Sequence, residues 1–489
     1  MRRIPLFLTA LAASLAGAAD YTFEPLVEEG NGKVTVKLGN GEAKAFRMPA
    51  WAPGDYQLFN YGGMVETIEF KKDGRPVKAE KGTDVNLWTL PEGADEAIYT
   101  VKPSRGNFSP NLRVRPDHYF VSPPGVLGWF VGDEKNRQRL HLAMVPEGAK
   151  SHSTLTRIRQ TKPGFDSFEG PNYDEFIDAP FVVGTAVKIE AFSAGGKDLS
   201  VVGFNQIANA DLSGFVKVGR MAAEECKKLF GELPFPHYTF FCDFGGGGGG
   251  LEHLNSTRLG LGARSTGERS YGLVFHEFFH LYNVKRIREK PLGPFDYSKP
   301  AMVKTLWWLE GVTDYYAAVL AHRVGLETRE QFLGDMSGSL QSFAQNPNRL
   351  RISAEEASLR VWETRGSYGY GGVNYYEKGR LIGLCLDLAI RGLTKGAKSL
   401  DDVIRTLYEE NKNDKPGYEP ERIRQLAVYL GGPEMYRIYD ACVSQAVELP
   451  IAEVAKLCGL IWSGAGFAPD PMASEEVRKI GAAWPKAIP

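Results

Sequence analysis

Near residue 205 the hydrophobic period of the chain changes, and that change restricts the fold more than any single motif. Before it the sequence runs in short alternating stretches such as KVTVKLG, AIYTVKP and HLAMVPEG, separated by Gly, Pro and Asp. Alternation of apolar and polar residues is the pattern of half-buried strands, and many short strands with frequent turns predict a sandwich. The segment DAPFVVGTAVKIEAF, from Asp178, reads as its last pair of strands. After Asn205 the stretch ADLSGFVKVGRMAAEECKKLFGEL repeats apolar residues every three or four positions, which predicts an amphipathic helix, and HYTFFCDF follows as a strand. Further helices are expected at 270–285, 303–324, 327–346, 375–394, 399–412 and 418–430. Strands first and helices afterwards predict a multidomain chain, with an all-β sandwich over 20–200 and an α-rich domain over 201–460. Residues 461–489 are too few for another domain and are expected to form a tail.

The first residues, MRRIPLFLTALAASLAGAAD, join two arginines, a short apolar run and the small-residue pattern Ala16-Gly17-Ala18, the layout of a secretory signal peptide over 1–19. Export to the periplasm or the medium is therefore expected, without stable membrane insertion once the signal is removed. Lys and Arg number 58 against 59 Asp and Glu, so no overall field favours nucleic acid as a partner. An oxidising destination permits disulfides among the five cysteines. The expected pairs are Cys442 with Cys458 and, less strongly, Cys226 with Cys242, while Cys385 reads as a buried thiol.

Two motifs carry chemistry. In YGLVFHEFFHLYNVKRIRE, His276 and His280 stand four residues apart, on one face of a helix, the spacing at which two imidazoles share one Zn²⁺ while Glu277 reaches water at the metal. A third ligand is available in LWWLEGVTDYYAAVLAHR, where Glu310 interrupts an apolar helix and Asp314, one turn on, suits the outer N–H of a ligand histidine. Thirty residues ahead of the histidines lies CDFGGGGGGLEHLNS, six glycines followed by Glu252 and His253. Such a run forms either a linker or a place where another backbone comes close.

The combination of GGGGGGLEH, HEFFHLYNVKRIR, LWWLEGVTDYY and NYYEKG resembles the glycyl aminopeptidases, a branch of the zinc-glutamate peptidases. That resemblance implies a thermolysin-like α+β, mostly helical catalytic domain behind a β domain. It implies zinc bound by His276, His280 and Glu310, with Glu277 as general base and Tyr376 as oxyanion donor, Tyr375 being its competitor. It further implies that Gly248, Gly249 and Gly250 bind substrate backbone and that Glu252 grips the free α-amine of a peptide. His253 is left between a hydrogen-bonding neighbour of the site and a packed neutral histidine. Lys285, Arg286 and Arg288 read as structural ion-pair formers. Most members continue into a C-terminal PDZ module, for which this sequence leaves no room, so peptide capture by strand addition to such a module is not expected. The expected function is an exported zinc aminopeptidase acting on N-terminal Gly or Ala, with a zinc endopeptidase and a silent peptide-binding envelope protein as alternatives.

Overall fold

Burial alternates along Ala19–Leu26 and Asn31–Lys37, as the period of two requires, and these strands pair antiparallel at the centre of an eight-stranded sheet. The computed structural model describes residues 17–104, 111–160, 163–207, 210–364, 366–413 and 415–488. Residues 1–16, which carry most of the expected signal peptide, lie outside them. Two four-stranded sheets complete the front half, and all three contribute to one core that includes Phe23, Phe46, Trp88, Tyr119, Phe130 and Phe181. The chain is an N-terminal β-sheet domain followed by a largely helical catalytic region.

Between them lies a five-stranded sheet, in spatial order Lys188–Ala194, Lys197–Asn205, His237–Phe244, Ser256–Leu261 and Gly250–Glu252. The helix Ser213–Phe230 carries the chain between the parallel strands Lys197–Asn205 and His237–Phe244. Lys188–Ala194 therefore does not close the front sandwich, as its sequence suggested, but opens this sheet. Residue 200, expected as the end of the front domain, lies inside a strand of it. The two halves meet through aromatic packing, with Phe120 stacked on Phe204 at 4.9 Å.

The expected helices appear at Tyr271–Phe279, Thr313–Arg323, Arg329–Ala344, Tyr375–Leu393, Leu400–Asn411 and Glu421–Gly431. The first is shorter than its apolar pattern. Asn283 draws the chain away, because its side-chain amide donates to the carbonyls of Trp308 and Leu309 and to Thr313 Oγ1. The segment Trp307–Val312 is a π-helix, whose extra residue per turn no hydrophobic pattern announces.

Two other expectations are corrected. Residues 461–489 hold most of a short hairpin, Leu460–Trp462 with Phe467–Pro469, and the helix Glu475–Ala483, and the tail is anchored by the fully buried Trp484. All five cysteines are free and buried. Cys458 donates to the Leu388 carbonyl at 3.2 Å and the Cys442 thiol lies near that of Cys385, and both remain free, so the expected Cys442–Cys458 bridge is not formed. Cys226 and Cys242 are each enclosed in apolar core on their own elements.

Candidate metal centre and active site

The apolar run around HEFFH buries the helix Tyr271–Phe279 and with it His276 and Glu277; His280 follows directly and keeps helical dihedral angles. Each histidine has one ring nitrogen occupied. His276 Nδ1 lies 2.8 Å from Asp314 Oδ1, and His280 Nδ1 lies 2.8 Å from the Asn283 carbonyl. Both partners are acceptors, so the protons belong on Nδ1 and the two Nε2 lone pairs converge, 2.9 Å apart. Glu310 Oε2 completes the group at 3.1 Å from His280 Nε2 and 3.7 Å from His276 Nε2. Two lone pairs and a carboxylate aimed at one point repel unless a cation sits among them. Ligand atoms about 3.3 Å apart are what a tetrahedral Zn²⁺ with bonds near 2.0 Å requires. Glu310 Oε1 is buried with no hydrogen-bond partner, as expected of a carboxylate reserved for a metal. The residues fit zinc.

Electrostatics in this cluster follow from burial and mutual contact. Burial opposes charge on His280, yet Glu310 and Glu252 raise its pKa to about 9, so the cluster favours a positive charge at Nε2, whether a proton or a metal ion in its place. Glu310 is held down at about 2 by the same histidines, against its burial. Burial lifts Glu277 to about 7 while His276 and His280 pull the other way. Thr257 steadies this carboxylate, its hydroxyl lying 3.0 Å from the Leu251 carbonyl and 3.3 Å from Glu277 Oε2.

The glycines are ordered. Gly250–Glu252 is an edge strand, paired on one side only, with Gly250 opposite Leu259 and Glu252 opposite Thr257. A Cβ on Gly250 would lie 2.2 Å from the Glu277 carboxyl, so only glycine lets strand and base meet. A Cβ on Gly248 would meet nothing within 4 Å, which leaves the segment just ahead of the strand open to the cleft. A cavity of about 620 Å³ runs over Gly248, Gly249 and Gly250, past His276, Glu277 and Tyr376. Glu252, two residues past Gly250, is buried beside Glu277 and His280, with Oε1 unpartnered.

Tyr376 begins the helix Tyr375–Leu393, fixed by Asn374, whose side chain accepts from the Tyr376 N–H at 2.7 Å. Its ring stacks on His276 with 6.0 Å between centroids, and it lines the cavity, whereas Tyr375 points into the core. Backbone contact sets this height: a Cβ on Gly379 would lie 2.1 Å from the Trp307 carbonyl oxygen and one on Gly311 2.4 Å from Gly379 Cα. His253 is a bonded histidine, its Nδ1 3.0 Å from Asp178, which also accepts from the Leu254 N–H and Lys285. Arg286 donates to the carbonyls of Leu281, Leu254 and Pro234, and Arg288 lies over Phe295. Lys285 and Arg286 are thus structural, Arg286 through backbone carbonyls. Thr257, Asn283 and Asp178 escaped the sequence reading: Thr257, Asp178 and the side chain of Asn283 act across distances no local pattern records, and Asn283 reaches His280 through a backbone carbonyl, which no residue type announces.

The family model described as M61 glycyl aminopeptidase matches residues 269–382, and that of the Peptidase M61 N-terminal domain matches residues 27–185. The chain belongs to the M61 glycyl aminopeptidase family. It is a zinc metallo-aminopeptidase by family, and the M61 matches take in His276, His280, Glu310 and Tyr376. No curated protein matches the chain. Among solved structures, an aminopeptidase N family protein from Idiomarina loihiensis superposes with a TM-score of 0.80 at 24% identity, over 91% of this chain and 78% of that one. The M1 zinc metallopeptidase from Deinococcus radiodurans gives 0.55 at 14% identity over 89% and 95% of the two chains. Native yeast LTA4 hydrolase gives 0.55 at 13% identity, over 90% and 70%. At these identities the likeness is one of fold, and it places this M61 chain beside M1 architecture.

Proposed function

We propose that this M61 chain is an exported aminopeptidase that binds one Zn²⁺ and removes N-terminal Gly or Ala from peptides. One observation carries the exopeptidase reading: beside the metal cluster, next to the glycines that line the cleft, stands a buried carboxylate with an unpartnered oxygen, Glu252. A carboxylate there suits the ammonium at which a peptide begins. A peptide laid antiparallel along Gly250–Glu252 gains main-chain hydrogen bonds from the free edge and runs outward over Gly249 and Gly248.

Zinc held by His276, His280 and Glu310 supplies a Lewis acid for the carbonyl and acidifies water. Glu277 takes a proton from the attacking water and delivers one to the leaving amine, the task of a buried carboxylate next to the ligand histidines. Tyr376, whose hydroxyl has no partner among the described residues, donates to the oxygen on which negative charge develops. Asp314 and the Asn283 carbonyl hold the histidines in the tautomer that exposes Nε2. Export is supported by the leader-like start of the sequence, and among the described residues no helix is long and apolar enough to cross a membrane.

The test compares a glycyl anilide with its N-acetyl form. Strong preference for the free amine is expected, with loss of all hydrolysis on chelation. Equal cleavage of both substrates would replace the aminopeptidase with an endopeptidase.

A further inference from the structure

Behind Glu252 lies a turn of the front domain, residues 51–57, of sequence WAPGDYQ. Its backbone touches the glutamate: a Cβ built on Gly54 would lie 2.5 Å from Glu252 Oε2 and 2.8 Å from Oε1, so both oxygens face this turn. Gly54 also has φ of +90°, which glycine adopts freely. The next residue, Asp55, is 3% exposed, and one of its oxygens accepts from Gln57 Nε2 at 2.9 Å. Asp55, next to the residue that touches Glu252, and Glu252 itself are thus two buried carboxylates from two domains, and among the described residues neither is paired with a lysine or arginine. Burial lifts Asp55 to about 7, against the hydrogen bond from Gln57 and with the charge on Glu252 adding to the rise. An enclosed pair of this kind, with Glu252 Oε1 unpartnered, calls for a cation that enters from the cleft.

A primary ammonium offers three N–H donors, and a single carboxylate satisfies at most two of them. We propose that Asp55 is a second acceptor for the substrate's α-ammonium, so that the front domain supplies part of the substrate site and its 51–57 turn forms the end wall of the cleft. The proposal rests on the aminopeptidase reading above. Gln57 orients Asp55 by holding its other oxygen. The wall also bears on size: Gly54 lies directly against Glu252, and Trp51 and Tyr56 are buried beside it, so a residue with little or no side chain fits between wall and metal.

Glycine hydroxamate and acetohydroxamate share one metal-binding group and differ by the amine, so the ratio of their affinities reads the ammonium site alone. Calorimetry on the zinc-loaded protein at pH 8 is expected to show that wild type favours glycine hydroxamate. Asp55→Asn is expected to reduce that ratio by about 10-fold or more while leaving acetohydroxamate binding unchanged, as expected for loss of one charge-assisted acceptor. A ratio in Asp55→Asn equal to wild type, with the ratio lost in Glu252→Gln, overturns the role of Asp55 and leaves the aminopeptidase reading standing. Absence of any preference in wild type overturns both. If Asp55→Asn does not retain zinc, Gln57→Met decides: a fall of a few-fold in the ratio supports the assignment and an unchanged ratio overturns it.

Discussion

Glu277 shows what one residue contributes when its surroundings are fixed by others. Thr257 and the missing side chain of Gly250 hold its carboxylate, and burial sets its proton affinity. Glu277→Gln keeps the shape and leaves both ligand histidines, so zinc content should stay at one per chain while kcat falls by about 10³-fold or more. Metal analysis alongside turnover checks this, and activity within tenfold of wild type would remove Glu277 as base. Tyr376→Phe should lower kcat by about 10²- to 10³-fold with KM little changed, the scale of one lost oxyanion donor. The same deficit in Tyr375→Phe instead would contradict the placement of Tyr375 in the core. The ligands and the base were legible because a helix places residues four apart on one face, a relation that lies within the sequence itself. Asp55 and Asp178 were not, since they approach the site from another domain, and no spacing records that.

At the scale of elements, the decisive contact lies between the π-helix Trp307–Val312 and the helix Tyr375–Leu393, which meet at Gly311 and Gly379. These backbones touch, so the positions of Glu310 and Tyr376 are coupled. Gly379→Ala should force them apart by the width of a methyl group, at a cost of about 1–3 kcal/mol in stability, and should weaken zinc binding. A competition titration with a chelator reads the second effect; unchanged zinc affinity in a destabilised protein would show that Glu310 is positioned by its own segment alone. Helix positions were readable from apolar periodicity, and the strand His237–Phe244 from its eight residues. The π turn was not, because tertiary contacts from Asn283 decide it.

For the whole molecule, two anchors far from the metal set stability. Trp484 is fully buried and its indole donates to Tyr315 Oη at 2.9 Å, tying the last helix to the catalytic region. Trp484→Ala should cost about 3–5 kcal/mol, visible as a lower thermal midpoint. The seam between the front sheets and the central sheet carries His152, which hydrogen-bonds Thr239 Oγ1 at 2.8 Å. Burial, followed by His237 and Arg157, pushes this histidine down to about 3 from its ordinary 6.5. Its folded form is neutral, so its contribution to stability is present above about pH 6.5 and is lost as pH falls toward 3. Melting curves across that window should be less steep in pH for His152→Gln; an unaltered slope would exclude His152 as the group responsible. Composition made the two-part layout legible, but the sheet joining the parts was divided wrongly, because Lys188–Ala194 alternates like the strands before it.

If the 51–57 turn closes the cleft behind Glu252, as proposed above, it also dictates the order of departure. On that reading the amino acid freed by hydrolysis lies between the proposed wall and the shortened peptide, and it leaves on the peptide's side. The peptide must leave first and the amino acid second. Steady-state inhibition then takes a set form, with free glycine competing directly with substrate and the shortened peptide inhibiting in a mixed pattern. A reversal of these two patterns would reveal a second exit behind Glu252.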